Sequence, residues 1–441
     1  MVSLEKNTVK VFDINKLIEN TPMNISNVYQ KIAECEYQLG NYNKSLEYLN
    51  RILEDFHPNQ VSSLILKMKI LDVKYGIRKS ISLLPLVYNV YPEGSLPRKR
   101  IENELYRTGL YRWEQNMVMT EGNRILEVAG DKVLFADVKS MIQDQFWILR
   151  ADDGSIFNNF SYKYLFNALV ISPEKLFYCE SENRDEYLDY FIRDISDISN
   201  KKLMDHNIRE EITPKLYHFN RSNIIAFYPN IRQSPGLIQL INLDNFQVYD
   251  IYRSMDQICE PLIKDNKLYF ISGKTCFTYN LDTQHLSSSY MDFTSKVPIN
   301  FISVVDVNPD EKIWLVIIKN YCFRLNTTDA SLEHTDKISH YFQNLGYVST
   351  KNDVKIFNNS HKFSFSLLND FEVEDIAVLG SKVYILQPDQ LLIWQKGKFI
   401  NSYPLLWRAI KFAVQNNTAY VLSNNGKIYA LNLEWTFHKL K

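Results

Sequence analysis

One pattern constrains this chain more than any other. From Asn116 to the last residue, short runs with period-two apolar alternation recur at a spacing of roughly 40 residues. The second run of each unit is the clearest. It reads Lys132-Val133-Leu134-Phe135 in the first unit and recurs at 175–178, 223–227, 267–270, 312–315, 354–357, 382–385 and 418–421. The third run also repeats and ends in an Asn or Asp turn, as in Leu240-Ile241-Asn242-Leu243-Asp244 and Tyr279-Asn280-Leu281-Asp282-Thr283. Side chains of Asn and Asp bond the backbone two residues on and tolerate turn geometry, so these positions read as hairpin ends. Aromatics make up 13% of the chain and concentrate in these runs, where a pleated, half-buried surface suits them.

Eight such units fit into about 325 residues, and four short antiparallel strands per unit make the chain mainly β. The expected architecture is an eight-bladed β-propeller, because one small sheet cannot cover both of its own faces and neighbours must supply the burial. The unit at 354–371 is the weakest, and without it the count is seven. With their Lys-Leu-Tyr-Phe strand and Tyr-x-Leu-Asn-x-x-Thr turn, the repeats resemble the pyrroloquinoline-quinone-type blade. They depart from it in mostly lacking the Thr-Gly pair and the docking Trp, and they carry none of the Gly-His and Trp-Asp marks of WD repeats. The resemblance therefore implies a fold and no particular activity.

Upstream the periodicity changes. Tyr29, Ile32, Ala33, Glu36 and Tyr37 fall on one helical face, Leu39-Gly40-Asn41 interrupts, and Leu46, Leu49, Ile52 and Leu53 form a second stripe. This is an αα-hairpin. Residues 33–58 resemble a tetratricopeptide repeat: Ala33 stands where two helices approach, Gly40 and Tyr42 match the turn, Ser45 is the expected small residue, and His57-Pro58 closes the second helix. Pro92 follows Pro58 by 34 residues, the tetratricopeptide period. A second copy would use Leu64, Met68, Leu71 and Tyr75, then Ile81, Leu84 and Tyr88, with Gly76 displaced and Pro85 kinking the second helix. Residues 100–113 are expected as a capping helix. The domains are thus read as a tetratricopeptide-like helical domain, 1–115, and a propeller, 116–441. The resemblance implies a module that grips a partner's helix or extended peptide; a lid packed on the next domain is the alternative.

Fifty basic against fifty-one acidic residues give a net charge of −1, which removes the main argument for nucleic acid or an anionic membrane as partner. No run approaches the eighteen apolar residues of a membrane span, and residues 1–12 do not read as a signal peptide. A soluble, cytoplasmic protein is expected. Cys35, Cys179, Cys259, Cys276 and Cys322 are odd in number and far apart, so they read as core residues in a reducing compartment rather than disulfides or zinc ligands.

Of eight histidines only His334 and His340 lie close, in an expected loop. No zinc helix motif, nucleophile elbow or phosphate loop occurs, and no catalytic residue, metal site or cofactor is expected. Asp152-Asp153-Gly154-Ser155 lacks the further acids of a calcium loop and reads as a hairpin turn. The acidic stretch 180–197 reads as a solvated hairpin or a dock for a basic partner. Arg98, Lys99 and Arg100, at the domain joint, are the densest basic cluster and the candidate partner-binding residues. Trp147, Trp314, Trp394 and Trp407 read as blade core.

Two repeat architectures without a catalytic constellation point to a non-enzymatic interaction scaffold that binds protein partners, a peptide or helix, on helical and propeller surfaces. The alternative is an enzyme or small-ligand-binding propeller, with polar side chains converging in the central funnel. A coat-like component of membrane traffic is a third reading, by analogy of fold alone.

Overall fold

Two-residue turns set the geometry of the β-structure. Asp265-Asn266 and Asn416-Asn417 both hold positive φ at each position, 48° and 57°, then 46° and 58°. Such paired left-handed residues match the twist of a tight hairpin, and after glycine Asn and Asp tolerate them best. The Asn residues after the third strands act as read from sequence. Asn242 Oδ1 accepts the N–H groups of Asp244 and Asn245, and Asn280 Oδ1 those of Asp282 and Thr283.

The computed structural model describes residues 25–56, 60–75, 109–117 and 123–435, together with Ser95, Leu96, Lys99, Glu102, Asn103 and Tyr106. The long stretch omits 139–143, 163, 182–187, 196–200, 209–213, 231–233, 293–300, 343–344, 351–352, 359–360 and 368–371. The chain divides into two compact units, Met1–Glu104 with Leu440–Lys441, and Leu105–Lys439.

In the first unit, helix α1 (Ile25–Gln38) and helix α2 (Tyr42–Arg51, prolonged by a π turn over Ile52–Phe56) form the hairpin, and α3 (Val61–Tyr75) packs on it. Gly40 takes φ +76°, the left-handed cap that ends a helix cheaply only as glycine. Ala33 and Ser45 are fully buried, and Ser45 Oγ donates to the Ala33 carbonyl at 2.7 Å. Small residues at both positions let the helices approach that closely. Leu49, Ile52, Leu66 and Ile70 complete this core. The expected α3 stripe is rotated. Ser63, Leu64, Leu66 and Ile70 are buried, whereas Tyr75 is 53% exposed. Apolar residues surround most of α3, so spacing alone could not select its face. Residues 81–88 and Pro92, the second helix of the second copy, lie outside the described residues.

The second unit is built of antiparallel sheets in chain order. Six have four strands: residues 123–162, 164–208, 215–254, 262–290, 375–404, and 409–432 with Tyr111–Asn116 as the fourth strand. One has seven strands, 301–366. Neighbouring sheets share apolar cores, as Leu134, Phe146 and Tyr178 do between the first two, and the 375–404 sheet meets the 409–432 sheet through the strands Asp375–Leu379, Lys382–Gln387 and Ala409–Gln415. The series returns on itself: Trp113, Leu126 and Phe135 share a core with Tyr420 and Ile428 of the last sheet. Successive antiparallel sheets in a closed cycle are a β-propeller.

The closing strand corrects one expectation. Residues 111–113 are not helical; Tyr111–Asn116 pairs with Lys427–Asn432 and completes the last sheet. Tyr111 and Trp113 are buried while Arg112 and Glu114 are not, a period of two. Gly154 shows how tight the closure is, since a Cβ there would lie 2.4 Å from the Trp113 ring. A second correction concerns the weak unit. Residues 354–357 belong to the third strand of their set, Asp353–Asn358, because the second, Gly346–Ser349, is only four residues long and lacks the Lys-led signature. At Gly346, φ is +155° and a Cβ would meet the Lys355 carbonyl at 1.9 Å, so the strands cross there without room for a side chain.

Trp147, Trp314, Trp394 and Trp407 are all buried, as read; Trp147 stacks on Phe135 and Trp394 on Phe365. Cys179, Cys259, Cys276 and Cys322 are buried free thiols, but Cys35 is exposed on the outer face of α1. His334 and His340 lie on the strand Leu332–Phe342, not in a loop, because that strand runs on from one set of four into the next.

Candidate functional site

The opening strands of neighbouring sheets touch one another. Asn123–Ala129 meets both Tyr164–Ser172 and Ala409–Gln415, and Ala409–Gln415 meets Asp375–Leu379. Side chains on these edges therefore converge, and three charged clusters result.

The first centres on Glu260, 3% exposed. Its Oε1 accepts Lys215 Nζ and the Tyr217 hydroxyl, both at 2.7 Å, and its Oε2 accepts the Tyr341 hydroxyl at 2.5 Å. The backbone is held as well: Glu260 N–H donates to the Ile302 carbonyl at 2.8 Å, and the Glu260 carbonyl accepts Val304 N–H at 3.2 Å. Pro261 follows and favours the extended backbone this bridging needs. Burial and the Glu260 charge push both tyrosine hydroxyls well above their ordinary range, so they stay protonated donors.

The second cluster joins Glu127, Asp375 and Lys411. Burial raises Glu127 to about 7, against the opposing pull of the Val170 N–H bond (2.7 Å) and the Lys411 charge. Burial likewise raises Asp375, opposed by Lys411 and by the N–H groups of Ile376 and Phe412. The Val170 backbone also bonds His218, whose imidazole burial pushes down. In the third cluster Asp306 accepts Lys264 and Lys362 at 2.8 and 2.7 Å. Burial drives that carboxyl up, but the two ammonium groups outweigh it and hold it below the usual range.

These groups answer one another's charge. Burial pushes the Cys259 thiol to about 12, so no thiolate nucleophile stands beside Glu260. Among the described residues no three His, Cys, Asp or Glu side chains are placed to share a metal ion.

A different surface opens between the 262–290 and 301–366 sheets, a cleft of about 490 Å³. Its walls come from one motif used twice. Lys267 and Tyr269 are two apart on one strand face, and Lys312, in the turn that leads into the strand Ile313–Ile318, stands two residues before Trp314 on the neighbouring sheet. Tyr269 and Trp314 meet edge to face at 5.7 Å. Ser287, Ser288, Ser289, Thr278, Thr327 and Thr328 add hydroxyls, and Tyr290, 68% exposed, stands at the rim. Lys312 sits at φ +54°, with its carbonyl bonded by Thr327 N–H and Oγ1. No carboxylate lines the cleft, and neither lysine is ion-paired among the described residues.

The other sequence candidates are placed as follows. Lys99 is exposed, and its N–H donates to the Ser95 carbonyl; Arg98 and Arg100 lie outside the described residues. So do 182–187 and 196–197 of the acidic stretch. Asp152-Asp153-Gly154-Ser155 forms the hairpin turn, with Asp153 Oδ1 accepting the Ser155 N–H and hydroxyl. The three charged clusters carry no signal along the sequence, because their members are scattered over separate sheets. The cleft had a signal, the Lys-x-aromatic start of two adjacent units, which was read only as strand.

No protein-family model and no curated protein matches the chain. Solved structures resemble it at low identity. The computationally designed Ika8 protein superposes with a TM-score of 0.50 at 8% identity, over 74% of this chain and 100% of that one. Saccharomyces cerevisiae Sqt1 gives 0.47 at 8%, over 73% and 98%. The β-propeller domain of the Trilobed protease from Pyrococcus furiosus gives 0.43 at 10%, over 73% and 98%. At such identities the likeness concerns fold alone. No helix among the described residues is long and apolar enough to cross a membrane.

Proposed function

We propose that this protein is a non-enzymatic scaffold that binds protein partners. One observation carries the reading: on the converging strands Glu260 and Asp306 are met by internal lysine partners, while the cleft beside them keeps two lysines without an ion partner among the described residues, next to exposed serines and an exposed tyrosine. Matched charges hold a fold together; unmatched ones on a concave surface are available to a ligand. In the same reading the seven-stranded sheet is two blades sharing the strand Leu332–Phe342, which makes eight. The first unit is a tetratricopeptide-like segment whose helices offer a second docking surface, supported by the Ala33–Ser45 contact. A cytoplasmic setting is part of the reading, supported by five free thiols.

The test is purification of the full chain with mass spectrometry, beside a variant carrying Tyr290→Ala and Lys312→Ala and another altered on the exposed faces of α1 and α3. Partners lost from either variant bear the reading out. If every partner stays bound to both, it fails.

A catalytic or ligand-binding funnel is the second reading, favoured by Glu127. A carboxyl titrating near 7 suits general acid–base work.

A further inference from the structure

The cleft between the 262–290 and 301–366 sheets has a chemistry that selects its occupant. We propose that it binds an anionic segment of a partner protein, in extended form, through Lys267 and Lys312. This rests on the scaffold reading and adds the charge and shape of what is bound.

Three observations lead there. The first is charge. Both lysines line the cleft, no carboxylate does, and neither lysine has an ion partner among the described residues. The same position in the first unit is different: Lys132 is paired with Asp131 and lies over the Phe157 ring. Glu311 precedes Lys312 but turns to Arg324 at 3.5 Å, outside the cleft lining. The second observation is hydroxyl density. Serines at 287, 288 and 289 are exposed along the edge strand His285–Tyr290, and hydroxyls beside an ammonium group are ordinary donors to carboxylate or phosphate oxygens. The third is the edge itself. Among the described residues His285–Tyr290 is the last strand of its sheet, with only Thr275–Asn280 beside it. Its outer edge can accept backbone bonds from an extended chain while the lysines read its charge.

The shared chemistry is negative charge on a peptide, supplied either by Asp and Glu or by phosphorylated Ser and Thr. The volume suits a few side chains rather than a folded domain.

The experiment selects from a random twelve-residue displayed peptide library against the full-length protein, once untreated and once phosphorylated by a mixture of Ser/Thr kinases. Winning peptides are measured by fluorescence anisotropy against wild type, the double variant Lys267→Glu with Lys312→Glu, and Tyr290→Ala. The expected result is a winning pool of net negative charge. Binding should weaken at least tenfold in the double variant and again between 50 and 500 mM salt, as screened charge requires. Enrichment in the untreated arm assigns carboxylates; enrichment in the treated arm alone assigns phosphate. A neutral or basic pool, or one bound equally by the double variant, overturns the proposal. If such a pool still weakens with Tyr290→Ala, the cleft remains a docking site and only its preference for anions falls. If nothing enriches in either arm, both the anionic occupant and docking at this cleft fall. Circular dichroism of each variant confirms that it is folded.

Discussion

The Glu260 cluster and the neighbouring cleft both place lysines beside tyrosines, yet they are opposite in design. Around Glu260 three donors from two sheets converge on one carboxylate, and both of its oxygens are occupied. In the cleft two lysines face solvent with no acid to meet them. Burying a charge is costly unless partners replace its hydration, so a buried ion is legible as structure only when its partners are counted. A propeller supplies such partners where its opening strands crowd together. Further out, adjacent sheets diverge, and the same residue types are left open to a ligand.

The largest effect that would break this contrast comes from Glu260→Ala. It takes the shared acceptor from two half-buried tyrosine hydroxyls and removes the stitch between three sheets, so it should cost about 3 kcal/mol of unfolding free energy. Urea denaturation measures this; a loss under 1 kcal/mol would mean that the cluster does not hold the sheets.

Next comes the pH response of Glu127. Its carboxyl is raised from 4.5 to about 7, so the folded state keeps a proton that the unfolded state has lost. The stabilising contribution is full below pH 4.5 and is lost as pH rises through 7. It amounts to on the order of 2 kcal/mol, allowing for its partial exposure. Glu127→Gln should flatten stability across that window, read as the denaturation midpoint against pH; an unchanged slope would remove Glu127 as its source.

The smallest effect sharpens the other side. Lys267→Ala and Lys312→Ala should each move stability by less than about 0.5 kcal/mol, because they leave no unmatched partner behind. A thermal melt that drops by several degrees for either would show that the cleft lysines are structural.

Much of this was legible in the residues. The Lys-led runs, the Asn turns after third strands and the Ala33–Gly40–Ser45 spacing are local signals, and apart from the run at 354–357 they map onto the elements they specify. The misreadings share a cause. Residues 111–113 fit a helix by local pattern because the pairing that makes them a strand lies over three hundred positions away, as in the bond from Arg112 to Asn432. The strand Gly346–Ser349 carries no period-two signal of its own, because it is short and held by flanking strands. The α3 face was misjudged because almost every face of that helix is apolar.

By itself, the sequence determined the unit of structure. Period-two runs ended by Asn and Asp can do little but form small hairpin-linked sheets, since turn geometry and alternation act over a few residues. Which charges meet was decided only by the tertiary structure. Lys215, Tyr217, Glu260 and Tyr341 carry no mutual signal along the chain, and they become neighbours because each sheet must lean on the next to cover its apolar faces. The same packing left Lys267 and Lys312 facing an open cleft with nothing to balance them.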